Sequence, residues 1–222
     1  MKIHSFISHL LVFLTILISC IIPPFFSVSD SSTQIFSMWN FPFVQFVYFL
    51  IAVTIYVFFF YHEKQRFNFT RTAVYVVLPG ILTLCILFTF SLILKSISLF
   101  LSEKFLSETM VELPSGIKEW IFCLLNFLFA AFYEEVIYRF FLPESLIYFA
   151  SRISSKKFFY FLSEFLSLLI FAFSHFYLGW LSVINAASGY VVLRICLIKT
   201  KNIFSGFCAH FIYNLICLLL IS

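Results

Sequence analysis

Charged side chains are scarce in this sequence, which excludes an ordinary soluble domain. Only 11% of the 222 residues are Asp, Glu, Lys or Arg, whereas about a quarter of a typical soluble domain is charged. No polar stretch is long enough to separate two domains, and no segment alternates between apolar and polar residues like the strands of a membrane β-barrel. Hydrophobic residues make up 63% of the chain and aromatic residues 22%. This composition indicates an integral membrane protein.

Runs of about 20 apolar residues are long enough to cross a bilayer as helices. The predicted spans are 5–25, 41–61, 73–94, 117–142, 158–177, 180–198 and 203–221. The polar stretches between spans are Ser27–Thr33, His62–Arg71, Ser96–Gly116 and Ser151–Lys157. We therefore expect an all-α fold, a polytopic transmembrane helical bundle of six to seven spans that forms a single integral membrane domain over 1–222.

The Lys and Arg residues are unevenly distributed between the two sides of this predicted topology. Nine of the 14 fall on one side and three on the other, while Arg139 and Arg194 lie inside spans. Because cytoplasmic connections collect Lys and Arg, we expect a cytoplasmic N-terminus. The expected location is the inner (cell) membrane of a bacterium. The net charge of +4 then reflects topology. Membrane lipids are expected partners, and nucleic acid is not.

The cysteines carry no sign of a special role. None of the six has CxxC spacing, so neither a disulfide framework nor a thiolate metal site is supported, and buried apolar thiols are expected. Leu17-Ile-Ser-Cys20 also fits a lipoprotein signal, whose cleavage would remove the first span. An ordinary first helix is the other interpretation, and the later spans are the same in both.

Ionisable residues inside spans are costly, about 2.5 to 3.5 kcal/mol each, and often mark a functional path. Glu119 lies beside Lys118 at the start of a span, where a structural role at a helix N-terminus is expected. Glu164, in the fifth predicted span, is either a packing partner or part of a site.

Two adjacent glutamates in the fourth span, Glu134 and Glu135, have different helical neighbours. Glu135 and Arg139 are separated by four residues, the spacing at which a carboxylate and a guanidinium meet on one face. Glu134 points about 100° away and is five residues from Arg139, so it is predicted not to pair with that arginine. It would then be free to act as a general base. The direction of its span predicts that Glu134 lies in the cytoplasmic half.

The histidines fall into two groups. Three are expected to be solvated or interfacial imidazoles: His4, His9 and His62. His175 closes the fifth span, while His210 and Asn214 are four residues apart on one face of the seventh. A lone helical histidine is most often a core residue, but several polar groups in one apolar chain cost less when they cluster around a wet cavity.

These residues carry a resemblance to a known family. Glu134-Glu135-x-x-x-Arg139, Phe171-x-x-x-His175 and His210-x-x-x-Asn214 occur in this order on successive helices. The set resembles the CPBP family of intramembrane glutamic endopeptidases, which includes type II CAAX prenyl proteases, Abi proteins and bacteriocin-processing proteins. The resemblance covers the second half of the chain. Phe140 departs from it, because the family commonly has Gly after the motif arginine.

The resemblance implies that 1–116 supplies N-terminal membrane helices and that 117–221 forms the catalytic core in the C-terminal four helices. It implies that Glu134 and His175 activate a water for attack on a peptide bond, and that His210 and Asn214 stabilise the oxyanion. Glu135 and Arg139 would support the site. The implied substrate is a hydrophobic or lipidated peptide or protein, such as a prenylated CAAX protein or a leader peptide.

Two alternatives remain open at this point. Glu and His also bind zinc, although the sequence has no HExxH motif; we expect no cofactor, with a metal ion as the alternative. Buried ionisable groups also occur in transporters and in scaffolds that bind a hydrophobic peptide without cleaving it. The paired polar face of His210 and Asn214 favours the enzyme, because hydrolysis needs an oxyanion site.

Overall fold

The computed structural model describes residues 6–26, 41–60, 73–100, 113–153 and 157–221. Within these ranges every regular element is helical. The α-helices are α1 (Phe6–Ile16), α2 (Phe43–Phe60), α3 (Ala73–Phe100), α4 (Ile117–Val136), α5 (Leu142–Ile153), α6 (Lys157–Phe173), α7 (Trp180–Thr200) and α8 (Ile203–Ile221). Ser27–Thr33, His62–Arg71, His4 and parts of the other two predicted polar stretches lie outside the described residues.

The helices confirm the predicted membrane bundle. Among the described residues, six helical segments are long and apolar enough to cross a membrane, and α2 is a shorter apolar helix. The chain is therefore an integral membrane protein with an all-α fold. The prediction that the fourth span ends at residue 142 was wrong, because α4 and α5 form one bent segment over Ile117–Ile153.

A π-helical turn over Ile137–Phe141 joins α4 to α5, and Pro143 explains it. Proline has no backbone N–H, and its ring clashes with the carbonyl of the residue four positions earlier in an α-helix, here Arg139. The wider turn avoids this clash, with the Leu142 N–H bonded to the Ile137 carbonyl. The helix therefore bends at the glutamate–arginine motif and continues for three more turns.

The bent segment lies at the centre of the bundle. Helix α4 packs against α2 and α8, while α3 packs against α7 and α8, and α6 packs against α5 and α7. Val136, Ile137 and Leu142 have no exposed surface. Leu78, Leu82 and Phe161 are more than 60% exposed on outer faces, where lipid rather than water would cover them.

His9 differs from its prediction. It was expected to be solvated or interfacial, but it is 3% exposed. Its Nε2 lies 3.2 Å from the Ser145 Oγ, within hydrogen-bonding distance, and its ring lies 4.7 Å from that of Tyr148. The reason is tertiary: α1 packs against α5, and His9 lies on the face of α1 that contacts α5.

The cysteines follow their prediction only in part. All six are free; Cys20, Cys123 and Cys196 are buried, Cys217 is half-buried, and Cys85 and Cys208 are exposed. The prediction of buried thiols was wrong for the last two. They lie on apolar helices in the membrane-spanning part of the chain, where apolar surface need not be buried in protein.

Candidate active site

Glu135 lies at the centre of a buried polar cluster. Its Oε1 is 3.2 Å from Arg139 Nη1, the predicted pair at a spacing of four, and 3.1 Å from His210 Nδ1. Helix α8 approaches so closely that a Cβ atom on Gly206 would lie 2.8 Å from Glu135 Oε2. Only glycine at position 206 leaves Glu135 where it is. Glu135 is thus held on two sides and is 1% exposed.

Glu134 lies beside the same arginine, contrary to its prediction. Its Oε2 is 3.6 Å from Arg139 Nη1 and 3.7 Å from His210 Nε2. The prediction assumed an α-helix, whereas the π turn brings residues five apart onto one face. Both distances are too long for hydrogen bonds, and this buried oxygen has no hydrogen-bond partner within the described residues. The Glu134 side chain is 18% exposed.

His210 is oriented by Glu135. An ionised carboxylate only accepts hydrogen bonds, so the hydrogen in the contact between Glu135 Oε1 and His210 Nδ1 lies on Nδ1. Nε2 therefore points toward Glu134, as the lone pair of a neutral ring or as the second N–H of an imidazolium. The two glutamates thus contact opposite nitrogens of one ring.

Phe171 connects the cluster to His175. The Arg139 guanidinium lies 4.2 Å above the Phe171 ring, a cation–π contact, and the same ring lies 4.7 Å from that of His175. His175 Nδ1 is 2.9 Å from the Phe171 carbonyl oxygen. Because a carbonyl only accepts, Nδ1 carries a hydrogen, and in a neutral ring Nε2 would carry the lone pair. The structure shows no hydrogen bond or ion pair between His175 and the described cluster residues.

The contact between Phe171 and Arg139 indicates the level of His175 along the bundle. Phe171 packs against the Arg139 guanidinium. Helices α5 and α6 are three residues apart in the sequence and pack together, so α6 runs back along the segment that contains α4 and α5. At a helical rise of 1.5 Å per residue, His175 is about 6 Å beyond Phe171, because it is four residues further along the chain. Glu134 is five residues before Arg139, about 7.5 Å away from it in the same direction. Glu134 is near the middle of the helical segment Ile117–Ile153. Its location in the cytoplasmic half of the membrane stays a prediction.

Asn214 lies one turn beyond His210 on α8 and is half-buried. No hydrogen bond joins it to another described residue. Its neighbour Tyr213 makes a hydrogen bond of 2.9 Å with the side-chain amide of Asn185. The structure therefore brings Glu134, Glu135, Arg139 and His210 into contact, while His175 and Asn214 make no hydrogen bond or ion pair with these four described residues.

Glu164 belongs to a second cluster, centred on Arg194. Arg194 Nε is 3.1 Å from Glu164 Oε2, Nη2 is 3.1 Å from Glu144 Oε1, and Nη1 donates to the carbonyl oxygen of Arg139 over 2.8 Å. Of the two interpretations left open for Glu164, the structure supports the packing partner. Arg194 is 5% exposed.

Sequence reasoning missed Arg194, Glu144 and Gly206. Arg194 carried a signal, since an arginine inside an apolar span needs a partner, and Glu164 on the preceding span is an acidic residue. Gly206 carried a weaker one, because glycine in a helix interior usually has a packing reason. The structural role predicted for Glu119 is confirmed: the Ser115 N–H and hydroxyl donate to its Oε2 over 2.7 and 2.9 Å.

Metal ligands do not form a recognisable group in the part of the chain that the structure describes. No three His, Cys, Asp or Glu side chains there are arranged so that they could hold a metal ion. The Glu135 oxygen and the His210 Nδ1 that would be ligands already contact each other.

Comparison with known proteins points to one family. Residues 116–216 match the family model described as Type II CAAX prenyl endopeptidase Rce1-like. The match covers a little under half of the chain, from the residue before α4 into α8. It includes every residue of the two polar clusters. No curated protein and no solved structure matches the chain.

Proposed function

We propose that this protein, whose residues 116–216 match the family model of Rce1-like type II CAAX prenyl endopeptidases, cleaves a peptide bond within the membrane with Glu134 as the general base. The family match and the apolar helices support an intramembrane protease of the CAAX type in general. The mechanism, the residue roles and the substrate below are our proposal.

The contrast between the two glutamates carries the proposal. Glu135 is 1% exposed, with both Arg139 and His210 on its Oε1, so it is shielded from a substrate or a water. Glu134 is 18% exposed, and its ion-pair contacts among the described residues are the two long ones of 3.6 and 3.7 Å. Catalytic hydrogen bonds are often long before the substrate binds. Glu134 is therefore the carboxylate that can accept a proton from a water.

The proposed reaction uses four side chains. Glu134 takes a proton from a water as the water oxygen bonds to the peptide carbonyl carbon, and the carbonyl π electrons move onto its oxygen. The C–N bond then breaks, and the leaving nitrogen takes the proton from Glu134. His175 accepts a hydrogen bond from the water through its unprotonated Nε2. No covalent enzyme intermediate forms.

His210 and Asn214 are proposed to donate hydrogen bonds to the oxyanion. His210 can donate through Nε2 only when its ring is doubly protonated, because Glu135 takes the Nδ1 hydrogen. A cationic His210 would balance the charges of Glu134, Glu135 and Arg139. In other hydrolases one such donor contributes about 2.7 to 4 kcal/mol to transition-state stabilisation. Asn214 supplies the second donor from the next turn of α8.

The proposed substrate is a hydrophobic or lipidated peptide or protein that reaches the site from the membrane. The large outward apolar side chains of α3 and α6 support a lipid environment around the bundle. We propose that the reaction needs no metal, that 117–221 forms the catalytic core, and that the N-terminus is cytoplasmic in a bacterial inner membrane.

The test is cleavage of a quenched library of hydrophobic and farnesylated peptides by purified protein in detergent micelles. The wild type is compared with Glu134→Gln and His210→Ala, with and without a strong chelator, and peptide binding is measured in parallel. Glu119→Gln is the matched control, because it makes the same change in the first turn of the same helix, outside the polar cluster.

We expect chelator-resistant cleavage that is lost in Glu134→Gln and His210→Ala but retained in Glu119→Gln. Cleavage that the chelator abolishes and zinc restores would replace this mechanism with a zinc metalloprotease. Peptide binding without cleavage by the wild type would favour the scaffold or transporter.

A further inference from the structure

Arg194 lies behind the catalytic cluster, on α7, and makes no contact with Glu134 or Glu135 among the described residues. Its guanidinium uses all three nitrogens. Nε and Nη2 contact the carboxylates of Glu164 and Glu144, while Nη1 donates to the backbone carbonyl of Arg139. Neutralising two partly exposed glutamates does not require that third contact.

Pro143 leaves the carbonyl of Arg139 without its usual hydrogen-bond donor within the helix. In an α-helix the N–H at position 143 would donate to it, and proline has no N–H. A buried carbonyl without a partner costs about 1 to 3 kcal/mol. Arg194 Nη1 fills this place at 2.8 Å. The donor that the helix lacks therefore comes from α7.

We propose that Arg194 is a positioning residue, which fixes the π turn so that Arg139 and Glu134 keep their places in the active site. The inference rests on the proposed function. Arg139 is held from two directions: its side chain contacts both glutamates of the motif, and its carbonyl is bonded to Arg194. Movement of the carbonyl therefore moves the guanidinium, and with it the carboxylate of Glu134.

A lysine cannot replace Arg194 in this role. The guanidinium presents five N–H donors in a rigid fork, which lets one side chain contact a carbonyl and two carboxylates at fixed angles. A lysine ammonium has the same charge, but it is a single point at the end of a flexible chain. A misplacement of about 1 Å can lower a catalytic rate by about 100-fold, so loss of the carbonyl contact is expected to affect kcat.

The experiment compares Arg194→Lys, Arg194→Met and the double variant Glu164→Gln/Arg194→Met with the wild type. The double variant keeps the total charge and, since methionine has no N–H group in its side chain, removes the carbonyl donor, so it separates charge compensation from positioning. Arg152→Lys is the matched control, since Arg152 is an exposed arginine on α5. Peptide cleavage gives kcat and KM. Hydrogen exchange of the amides of Tyr138–Leu142, measured without substrate, reports on the π turn directly.

We expect kcat to fall about 10-fold or more in Arg194→Lys and in the double variant, with KM changed by less than about threefold. Exchange at Tyr138–Leu142 should be faster in both, and Arg152→Lys should match the wild type. Wild-type kcat and exchange in the double variant would overturn the inference, because they would show that Arg194 only balances the charge of Glu164.

The inference can still be tested if the wild type cleaves no peptide or if Arg194→Lys does not fold. The exchange measurement needs no activity, so it tests the anchor even if the wild type cleaves no peptide and the proposed function fails. If Arg194→Lys does not fold, Pro143→Ala provides the second variant, because it restores an N–H next to the Arg139 carbonyl. We expect Arg194→Lys to fold and to have a smaller effect on exchange in that background than alone; an equal effect would overturn the inference.

Discussion

Gly206→Ala tests whether the close approach of α8 to Glu135 holds the active site together. The added Cβ would lie 2.8 Å from Glu135 Oε2, and ordinary contacts begin at 3.4 Å. The carboxylate must therefore move by about 0.6 Å. A carboxylate at the end of a free side chain could do so at little cost. Glu135 cannot, because it is 1% exposed and is held by Arg139 and His210.

The magnitude follows from the contact to His210. A shift of this size would lengthen the distance of 3.1 Å between Glu135 Oε1 and His210 Nδ1 to as much as about 3.7 Å, beyond hydrogen-bonding range. Losing a hydrogen bond to a buried charged group costs about 1.5 to 3 kcal/mol. If the orientation of His210 loses the same free energy in the transition state, kcat falls about 10- to 100-fold.

Gly189→Ala is the matched control for this prediction. Gly189 is also in a helix interior, but a Cβ there would meet only Leu87 Cδ2, at 3.8 Å. Both substitutions gain up to about 1 kcal/mol of helix propensity, so this gain cancels when the two variants are compared. We expect the free energy of unfolding of Gly206→Ala to be about 1.5 to 3 kcal/mol lower than that of Gly189→Ala. Equal thermal stability and equal kcat would refute the reasoning.

Two further predictions concern the contact between Tyr133 and Cys20. The Tyr133 hydroxyl donates to the Cys20 carbonyl over 2.9 Å, and Pro24 has no N–H to occupy that carbonyl, so Tyr133→Phe should lower the free energy of unfolding by about 1 to 3 kcal/mol. Thermal unfolding measures this, with the exposed Tyr160→Phe as control; equal melting temperatures would contradict it. Cys20 is itself fully buried, so α1 should be retained in protein purified from membranes. Mass spectrometry should detect peptides from residues 6–16, and an N-terminus at a lipidated Cys20 would show that α1 is removed.

The number of spans was predictable from the sequence because membrane helices need long apolar runs, and these are visible without tertiary information. The pairing of Glu135 with Arg139 was predictable for a similar reason, since it depends only on a spacing within one helix. Glu134 was predicted less well. Its distance from Arg139 depends on the π turn, whereas an ordinary α-helix was predicted for this stretch.

The contacts between helices were harder to predict. One partner of Arg194 is the carbonyl of Arg139. This is a backbone atom, and every residue has one, so the sequence does not indicate which carbonyl Arg194 contacts. Gly206 faces Glu135 only because α8 crosses α4 at that point, and His9 is buried only because α1 packs against α5. The order of the motifs indicates which residues meet, whereas these distances depend on how the helices cross.

One paired measurement tests most directly whether Glu134 and Glu135 have different roles. Glu134→Gln and Glu135→Gln are compared for kcat on a cleaved peptide and for thermal stability in the same detergent. We predict that Glu134→Gln abolishes cleavage and leaves the melting temperature near that of the wild type. Glu135→Gln should lower the melting temperature, because breaking a buried charged pair costs about 3 to 5 kcal/mol. Retained cleavage in Glu134→Gln, or loss of cleavage only in Glu135→Gln with unchanged stability, would contradict the account.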